Sequence, residues 1–224
     1  MTAAGTVVTL IVAVFNGEKY LRAALESAYQ QDFESYEVVL VDDGSTDRTA
    51  EIARLFPVTY VYQENQGPSA ARNAGLEVAR GELVAFLDGD DVIPQSKLRL
   101  QVQFLRDHPD SGCVLGRNDW IFENGATPDS LTRDPVYGDL GGIQPGTALI
   151  RKHVLDEIGG FDPSYRYWEF QNLFVRLRES GVKIDVLPDV VLSKRLHGDN
   201  ATLSPPDEHP LLRTMREKIE RGRR

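Results

Sequence analysis

The 224-residue chain holds a single cysteine, Cys113, so neither an intrachain disulfide nor a cysteine metal cluster can form. Set in the apolar run Gly112-Cys113-Val114-Leu115, that thiol reads as a small buried hydrophobe. Long hydrophobic runs are missing as well. The most apolar stretch, Val7 to Phe15, is strand-length, and it lacks the basic flank and small-residue cleavage site of a signal peptide. Nothing approaches the roughly 18 consecutive apolar residues that a membrane helix needs. A cytosolic protein is the expectation. Positive charge is also in deficit: 25 Lys and Arg stand against 34 Asp and Glu, a formal net charge of -9. Nonspecific binding to nucleic acid is thereby disfavoured, because neutralising phosphates takes surplus cations. Internal repeats, low-complexity segments and a serine elbow suited to a nucleophilic triad are absent too.

What is present is an ordinary globular composition, 41% hydrophobic and 26% charged, in a length that suits one domain with a short appendage. The charge is unevenly placed. Residues 209–224 carry six Lys/Arg against two Asp/Glu, about +4, which leaves about -13 for the rest. Such a basic helical tail is either a solvated helix end or a weak contact for the anionic inner face of a membrane.

Val7 to Val14 is β-branched and continuously apolar, the pattern of a strand buried on both faces of a parallel sheet. A helix is expected from about Glu18 to Gln31, with Leu21, Ala24, Leu25 and Ala28 on one face. Val38 to Val41 predicts a second strand, ended by Asp42-Asp43-Gly44-Ser45, with Ser45 placed to cap a helix starting near Thr46. Val58 to Tyr62 gives a third strand; Pro68 opens a helix that Gly81 is expected to close in a left-handed conformation. Leu83 to Leu87 is a fourth strand, ending in Asp88-Gly89-Asp90-Asp91.

Beyond Pro94 the pattern loosens. A helix from about Gln95 to Asp107, strands near Cys113–Leu115, Gly146–Ile150 and Lys183–Leu187, and a helix from about Trp168 to Ser180 stopped by Gly181 are expected, around a loop-rich stretch from Asn118 to Gly142. Strands alternating with helices imply a parallel sheet whose ligands bind at the carboxyl ends of its strands. The polar clusters all fall there.

Asp88-Gly89-Asp90-Asp91 sets three carboxylates on one tight turn, and their mutual repulsion is relieved by a hard divalent cation such as Mg²⁺ or Mn²⁺; a plain capped turn is the alternative. Asp42-Asp43-Gly44-Ser45-Thr46-Asp47 is a second acidic turn, able to accept from ribose hydroxyls or a base N–H, with Asp47 better suited to the next helix N-terminus. Arg72, one turn into the helix after Gly67-Pro68, is placed either to hold phosphate oxygens or to form a structural ion pair.

With these residues in hand, the chain resembles a family 2 glycosyltransferase of the GT-A fold, over Val7 to about Thr202. The carriers are Val14-Phe15-Asn16-Gly17-Glu18-Lys19-Tyr20-Leu21, Val41-Asp42-Asp43-Gly44-Ser45-Thr46-Asp47, Asn65 to Asn73, Asp88-Gly89-Asp90-Asp91 and Gly159-Gly160-Phe161-Asp162, in family order. The resemblance implies an α/β domain over 1–208, with a nucleotide-sugar half to about 110 and an acceptor half from about 111, followed by the basic tail at 209–224. It further implies that Val14, Asn16 and Glu18 line the nucleotide pocket, that Asp43 contacts the base with Asp42 close by, and that Asp88 and Asp90 form the metal-binding DxD pair, Asp88 reaching either the ribose or the metal. His197, in Arg195-Leu196-His197-Gly198-Asp199-Asn200, is similar to the family's late His-x-x-Asn segment, where the histidine completes the metal and diphosphate site.

The implied reaction is an inverting displacement, in which a carboxylate deprotonates an acceptor hydroxyl and Mn²⁺ or Mg²⁺ stabilises the departing diphosphate. UDP-sugars are the family's commonest donors, and acceptors are hydroxyls of carbohydrates, lipid-linked sugars or peptides. The family's base lies in a Glu-Asp pair that opens the helix after Gly-Gly-Phe-Asp. Here Phe170 stands in the aspartate's place, in Trp168-Glu169-Phe170-Gln171-Asn172. Three readings follow: Glu169 is the base, the acceptor arrives with another group, or the chain binds a nucleotide sugar without transferring it efficiently. A sugar-1-phosphate nucleotidylyltransferase also uses acidic turns and Mg²⁺, but wants a glycine-rich, arginine-bearing loop where this chain has Phe15-Asn16-Gly17-Glu18-Lys19. Trp120, Tyr137, Tyr167 and Trp168 are suited either to stack on a sugar or to pack.

Overall fold

The computed structural model describes residues 7–123 and 144–197; the basic tail, Tyr137, Asn200 and most of the expected acceptor loop lie outside the described residues. Among the described residues seven strands form one sheet: β1 (Val8–Val14), β2 (Tyr36–Asp42), β3 (Thr59–Tyr62), β4 (Leu83–Asp88), β5 (Ser111–Phe122), β6 (Ala148–Arg151) and β7 (Lys183–Leu196), in the order β3-β2-β1-β4-β6-β5-β7. Strands β1 to β4 are all parallel, with β1 central between β2 and β4. β6 runs antiparallel to both β4 and β5, while β5 and β7 are parallel.

Both faces are covered. Helices α1 (Leu21–Tyr29), α2 (Thr49–Ala53) and α4 (Lys97–Asp107) bury Leu21, Leu25, Ala53, Leu98, Val102 and Leu105 against the even-numbered residues of β1, such as Leu10 and Val12. Helices α3 (Pro68–Val78), α5 (Lys152–Ile158) and α6 (Glu169–Glu179) cover the other face around Ile11, Val39 and Phe86. Because successive strand side chains alternate faces, a run that is apolar throughout supplies both cores at once. Each fully buried leucine in these layers contributes roughly 1.5–3 kcal/mol.

Several expectations are corrected. Gly81 is not a left-handed stop: α3 ends at Val78 with Ala79 extended, and Gly81 instead lets the chain pass β1, where a Cβ would sit 2.5 Å from the Thr9 nitrogen. Ser45 does not cap α2, which begins only at Thr49; its hydroxyl accepts the Asn16 N–H at 2.8 Å, and Asp47 takes the Thr49 N–H at 2.9 Å. The strand expected at Lys183–Leu187 is the start of the 14-residue β7. Register shifts near Gly112 and Gly116 let β5 keep pairing with it as far as Leu196. Helix α5 was not anticipated; only seven residues long, it buries just Val154 and Leu155, too few to show a helical period.

Candidate active site

A cleft of about 740 Å³ opens at the carboxyl ends of β1 and β4. One wall is the end of β1 with Val14, Phe15, Asn16, Lys19 and Tyr20, and its floor carries Asp43, Arg72, Asp88 and Asp90. The opposite wall is the segment Arg166 to Gln171 with Gln144 and Pro145, and Lys194 and His197 close the end.

Helix α3 builds the floor. Ser69, Arg72 and Asn73 share one helix face at i, i+3 and i+4, and each grips the segment that leads into α6. Ser69 donates to the Tyr165 carbonyl at 2.7 Å. Asn73 donates to the Phe161 carbonyl and accepts its N–H, both at 2.8 Å. Arg72, fully enclosed, donates one guanidinium nitrogen to Asp88 at 2.6 Å and the other to Glu169 at 2.7 Å. Burial opposes the charge on Arg72, but the two carboxylates outweigh it and hold its pKa above the ordinary arginine value. Asp88 is likewise kept below the usual carboxylate range: burial pushes it up, and Arg72 and Lys194 more than reverse that. Of the two readings of Arg72, the geometry shows the ion pair.

Asp88, Asp90 and Asp91 each place a carboxylate oxygen within 4.8 Å of the others. Asp91 is buried beneath the turn, accepting the Arg195 N–H at 2.8 Å and lying 3.3 Å from the Lys194 ammonium. Burial pushes Asp91 up to about 7 against the pull of Lys194, with Asp90 and Asp88 adding to the rise. Lys194 stays charged: burial disfavours its ammonium, but Asp91, Asp88 and Asp90 raise its pKa overall. Three crowded oxygen ligands of this kind fit a hard divalent cation. Asp88 and Asp90 are the partly exposed members and both line the cleft; His197 Nε2 lies 3.2 Å from Asp90.

The His197 ring is itself held, stacked on Tyr20 at 4.6 Å between centroids. Tyr20 donates its hydroxyl to Glu123 at 2.8 Å, and Glu123 also accepts from Arg195 at 2.5 Å. Arg195 returns to the acidic turn through its Nε, 3.0 Å from the Asp90 carbonyl. From sequence, Tyr20 has no role beyond its place in the Val14–Leu21 motif and Glu123 does not stand out, since their partners lie far along the chain.

The nucleotide-side expectations divide. Val14 and Asn16 line the cleft, Asn16 in a left-handed conformation with φ 50° that lets its side chain accept the Thr46 N–H at 2.9 Å. Asp43 also lines it, but its carboxylate already accepts Gln63 at 2.6 Å and the N–H groups of Gln66 and Gly67 at 2.9 Å each. Three of its roughly four acceptor directions are thus spent on the β3–α3 turn. Asp42 is 1% exposed and lies off the cleft wall, accepting the Ser45 N–H at 2.8 Å and the Tyr60 hydroxyl at 2.7 Å. Glu18 is off the wall as well: its carboxylate lies 3.4 Å from the Arg48 guanidinium, and its own N–H donates to Asp47 at 2.9 Å. Phe15, which sequence reasoning passed over, lines the cleft and is 53% exposed. It stands in the motif that carries the family resemblance, but nothing local in the sequence marks its side chain as exposed.

On the opposite wall, Phe170 is 1% exposed and packs near Phe161, so it belongs to the core beneath the cleft. Glu169 lines the cleft with Oε1 held by Arg72. Trp168, just before it, has φ 63°, a left-handed conformation that costs a non-glycine residue roughly 1–2 kcal/mol.

A seven-stranded sheet in this order, an acidic turn at the end of β4 and a cleft across the strand ends define a GT-A nucleotide-sugar fold. The S. aureus TarS 1-349 structure in complex with UDP-GlcNAc superposes with a TM-score of 0.74 at 27% identity, covering 89% of this chain and 61% of that one. A mannosyltransferase from Pyrobaculum calidifontis in complex with GDP-Man and Mn²⁺ shares the fold at 23% identity and a TM-score of 0.70, over 88% of this chain and 59% of that one. An uncharacterized glycosyltransferase of Nostoc sp. is 31% identical over 217 residues, 88% of this chain and 67% of that protein. The profile of the family described as Glycosyl transferase family 2 matches residues 9–159. The chain belongs to glycosyl transferase family 2. It spans 26%, 42% and 65% of the length of three other curated relatives that it matches. Among the described residues, no helix is long and apolar enough to cross a membrane.

Proposed function

We propose that the protein transfers a sugar from a nucleotide diphosphate sugar to an acceptor hydroxyl with inversion, using Glu169 as general base and a divalent cation at Asp88, Asp90 and His197. The observation that carries this reading is Arg72, whose two nitrogens tie Asp88 of the acidic turn to Glu169 of the opposite wall across one cleft. A base and a leaving-group site held to one rigid fork are what a single displacement at an anomeric carbon requires. Glu169 Oε1 is fixed by Arg72, and Oε2 accepts no hydrogen bond among the described residues, which leaves it to receive the acceptor's proton. A bound Mn²⁺ or Mg²⁺ supplies positive charge beside the departing diphosphate. Phe15 offers an exposed face for a nucleobase beside Asp43, Val14 and Asn16. Asp42 and Glu18 act by holding that turn and its flank. UDP is the nucleotide that the likeness to TarS favours.

One observation favours a second reading. A carboxylate already in a buried ion pair is a restrained base, and with Phe170 in the core the chain could hold a nucleotide sugar without efficient transfer. Calorimetric titration of UDP and UDP-sugars with Mn²⁺, Mg²⁺ or EDTA, on wild type and Asp90→Ala, tests the shared donor site. Binding that needs both metal and Asp90 is expected; metal-independent binding, or none, overturns the metal-assisted reading. Turnover of the bound donor with acceptor hydroxyls then separates transferase from binder.

A further inference from the structure

Four Lys or Arg residues among those described line the cleft: Lys19, Arg72, Arg166 and Lys194. Three answer to carboxylates of the chain itself, Lys19 lying 3.8 Å from Glu123, Arg72 bridging Asp88 and Glu169, and Lys194 lying 3.3 Å from Asp91. Arg166 is exposed and has neither an ion pair nor a hydrogen bond among the described residues. In a chain with 34 acidic side chains against 25 basic ones, a guanidinium left without a carboxylate inside a cleft is placed for a group that the chain does not supply.

Its position indicates which group. Tyr165, just before it, is buried, and the Tyr165 carbonyl accepts from Ser69 at 2.7 Å, so the backbone that carries the arginine is fixed to α3. The side chain lies beside Gly67, where a Cβ would come within 3.5 Å of its Cγ and 3.7 Å of its Nε. The Gly67 N–H donates to Asp43 at 2.9 Å, which puts Arg166 at the Asp43 end of the cleft. Asp43 follows β2 and Asp88 ends β4, on either side of β1, so the two turns stand two strand spacings apart, about 10 Å. A diphosphate held at Asp88 and Asp90 is therefore remote from Arg166, whereas the base of the same nucleotide, one ribose away, comes within reach. Phe15 stands on the wall facing Arg166, 53% exposed and without a ring contact among the described residues. On the floor Asp43 keeps one acceptor direction beyond those taken by Gln63, Gln66 and Gly67. A planar ring placed there meets an aromatic side chain on one side and, on the other, a guanidinium, which is weakly hydrated and stacks on aromatic faces.

We propose that Arg166 is a base-binding residue, which closes the nucleobase against Phe15 while Asp43 accepts an N–H from the edge of the base. The inference rests on the nucleotide-sugar reading above. It adds a chemical class of base, one with a ring N–H beside a carbonyl, as in uracil, thymine or guanine. Cytosine and adenine offer no such N–H and would leave the carboxylate facing an acceptor.

Calorimetry on the full chain with Mg²⁺ compares UDP, dTDP, GDP, CDP, ADP and inorganic pyrophosphate, which has the charge but no base. Wild type is expected to bind at least one of UDP, dTDP and GDP about tenfold or more tightly than CDP and ADP. Arg166→Gln should weaken that nucleotide by about tenfold and leave pyrophosphate unchanged. Arg166→Lys keeps the charge without the plane and should retain only part of the affinity. Nucleotide affinity that survives Arg166→Gln overturns the assignment, and so does a loss shared equally by pyrophosphate, which would put the guanidinium on the diphosphate. CDP and ADP bound as tightly as the rest, or nucleotides bound no more tightly than pyrophosphate, overturn it as well. A wild type that binds neither nucleotide nor pyrophosphate strikes instead at the transferase reading beneath it.

Discussion

Arg72 carries an unusual amount of the site on one side chain. Its planar fork reaches Asp88 and Glu169 at once, and lysine, a single point charge, cannot reproduce that spacing. Removing a buried partner strands the charges it satisfied, at roughly 3–5 kcal/mol for a fully enclosed pair. The Asp88 and Glu169 side chains are 25% and 14% exposed, so water recovers part of this, and Arg72→Met should lose about 2–4 kcal/mol in urea unfolding. Arg72→Lys should lose less stability, yet still slow the chemical step, because Glu169 is no longer oriented. Glu169→Gln keeps the shape and removes the proton acceptor. It should lower turnover by about 10²–10⁴-fold with UDP affinity intact; full turnover in single-turnover kinetics would defeat the base assignment. At this scale the sequence was legible where a residue sits at the end of an apolar strand, as Asp88 and Asp90 do. The contacts of Asn73, Ser69 and Tyr20 were not legible, although all three stand in the motifs that carry the family resemblance, because their partners lie 88 to 103 residues away and leave no local period.

The elements meet in two clamps, one on each side of the cleft. Helix α3 holds the Glu169 wall, and the start of α1, the end of β5 and the end of β7 together hold the proposed metal side through Tyr20, Glu123, Arg195 and His197. Partners that orient a metal ligand typically matter by about 10–100-fold in metal affinity. Tyr20→Ala removes both the ring under His197 and the bond to Glu123. It should therefore weaken Mn²⁺ binding by about tenfold or more, as electron paramagnetic resonance of free Mn²⁺ would report. An unchanged Mn²⁺ affinity would mean that His197 needs no support, or takes no part. The parallel β1–β4 half was readable because its strands are apolar on both faces. The second half was readable only in part. Strands around Cys113–Leu115, Ala148–Ile150 and Lys183–Leu187 and the helix α6 were expected and are present. The full length of β7 was not legible, because Lys183, Val186, Asp189 and Val190 are exposed along it and its length is set by pairing with β5 through register shifts rather than by its own composition. That pairing is what carries Lys194 and His197 to the acidic turn.

Across the whole molecule the two halves are joined by a fully buried lysine. Lys97, at the first position of α4, donates to the Gly146 carbonyl at 2.8 Å and to Gln101 at 2.9 Å. Gln101 in turn donates to the Thr147 carbonyl at 2.9 Å. The helix after the acidic turn is thus bonded to the residues behind Gln144 and Pro145 of the opposite wall. Both acceptors of Lys97 are neutral, so burial alone acts on the ammonium and pushes its pKa down to about 7, from 10.5. The unfolded chain therefore keeps a proton that the native state has lost, from about pH 7 to 10.5, and native stability must rise with pH across that window. Below pH 7 both states are protonated and the burial penalty stands in full. Between pH 7 and 9 the gain should be about 2–3 kcal/mol. Lys97→Met abolishes this slope while leaving every other titration in place. The difference between wild type and variant in urea unfolding, measured at intervals from pH 6 to 9, should therefore widen in favour of wild type as pH rises. Loss of two hydrogen bonds shifts the variant by a constant amount and cannot produce a slope, so parallel profiles would mean that Lys97 keeps its charge, stabilised by the Gly146 carbonyl and Gln101 alone.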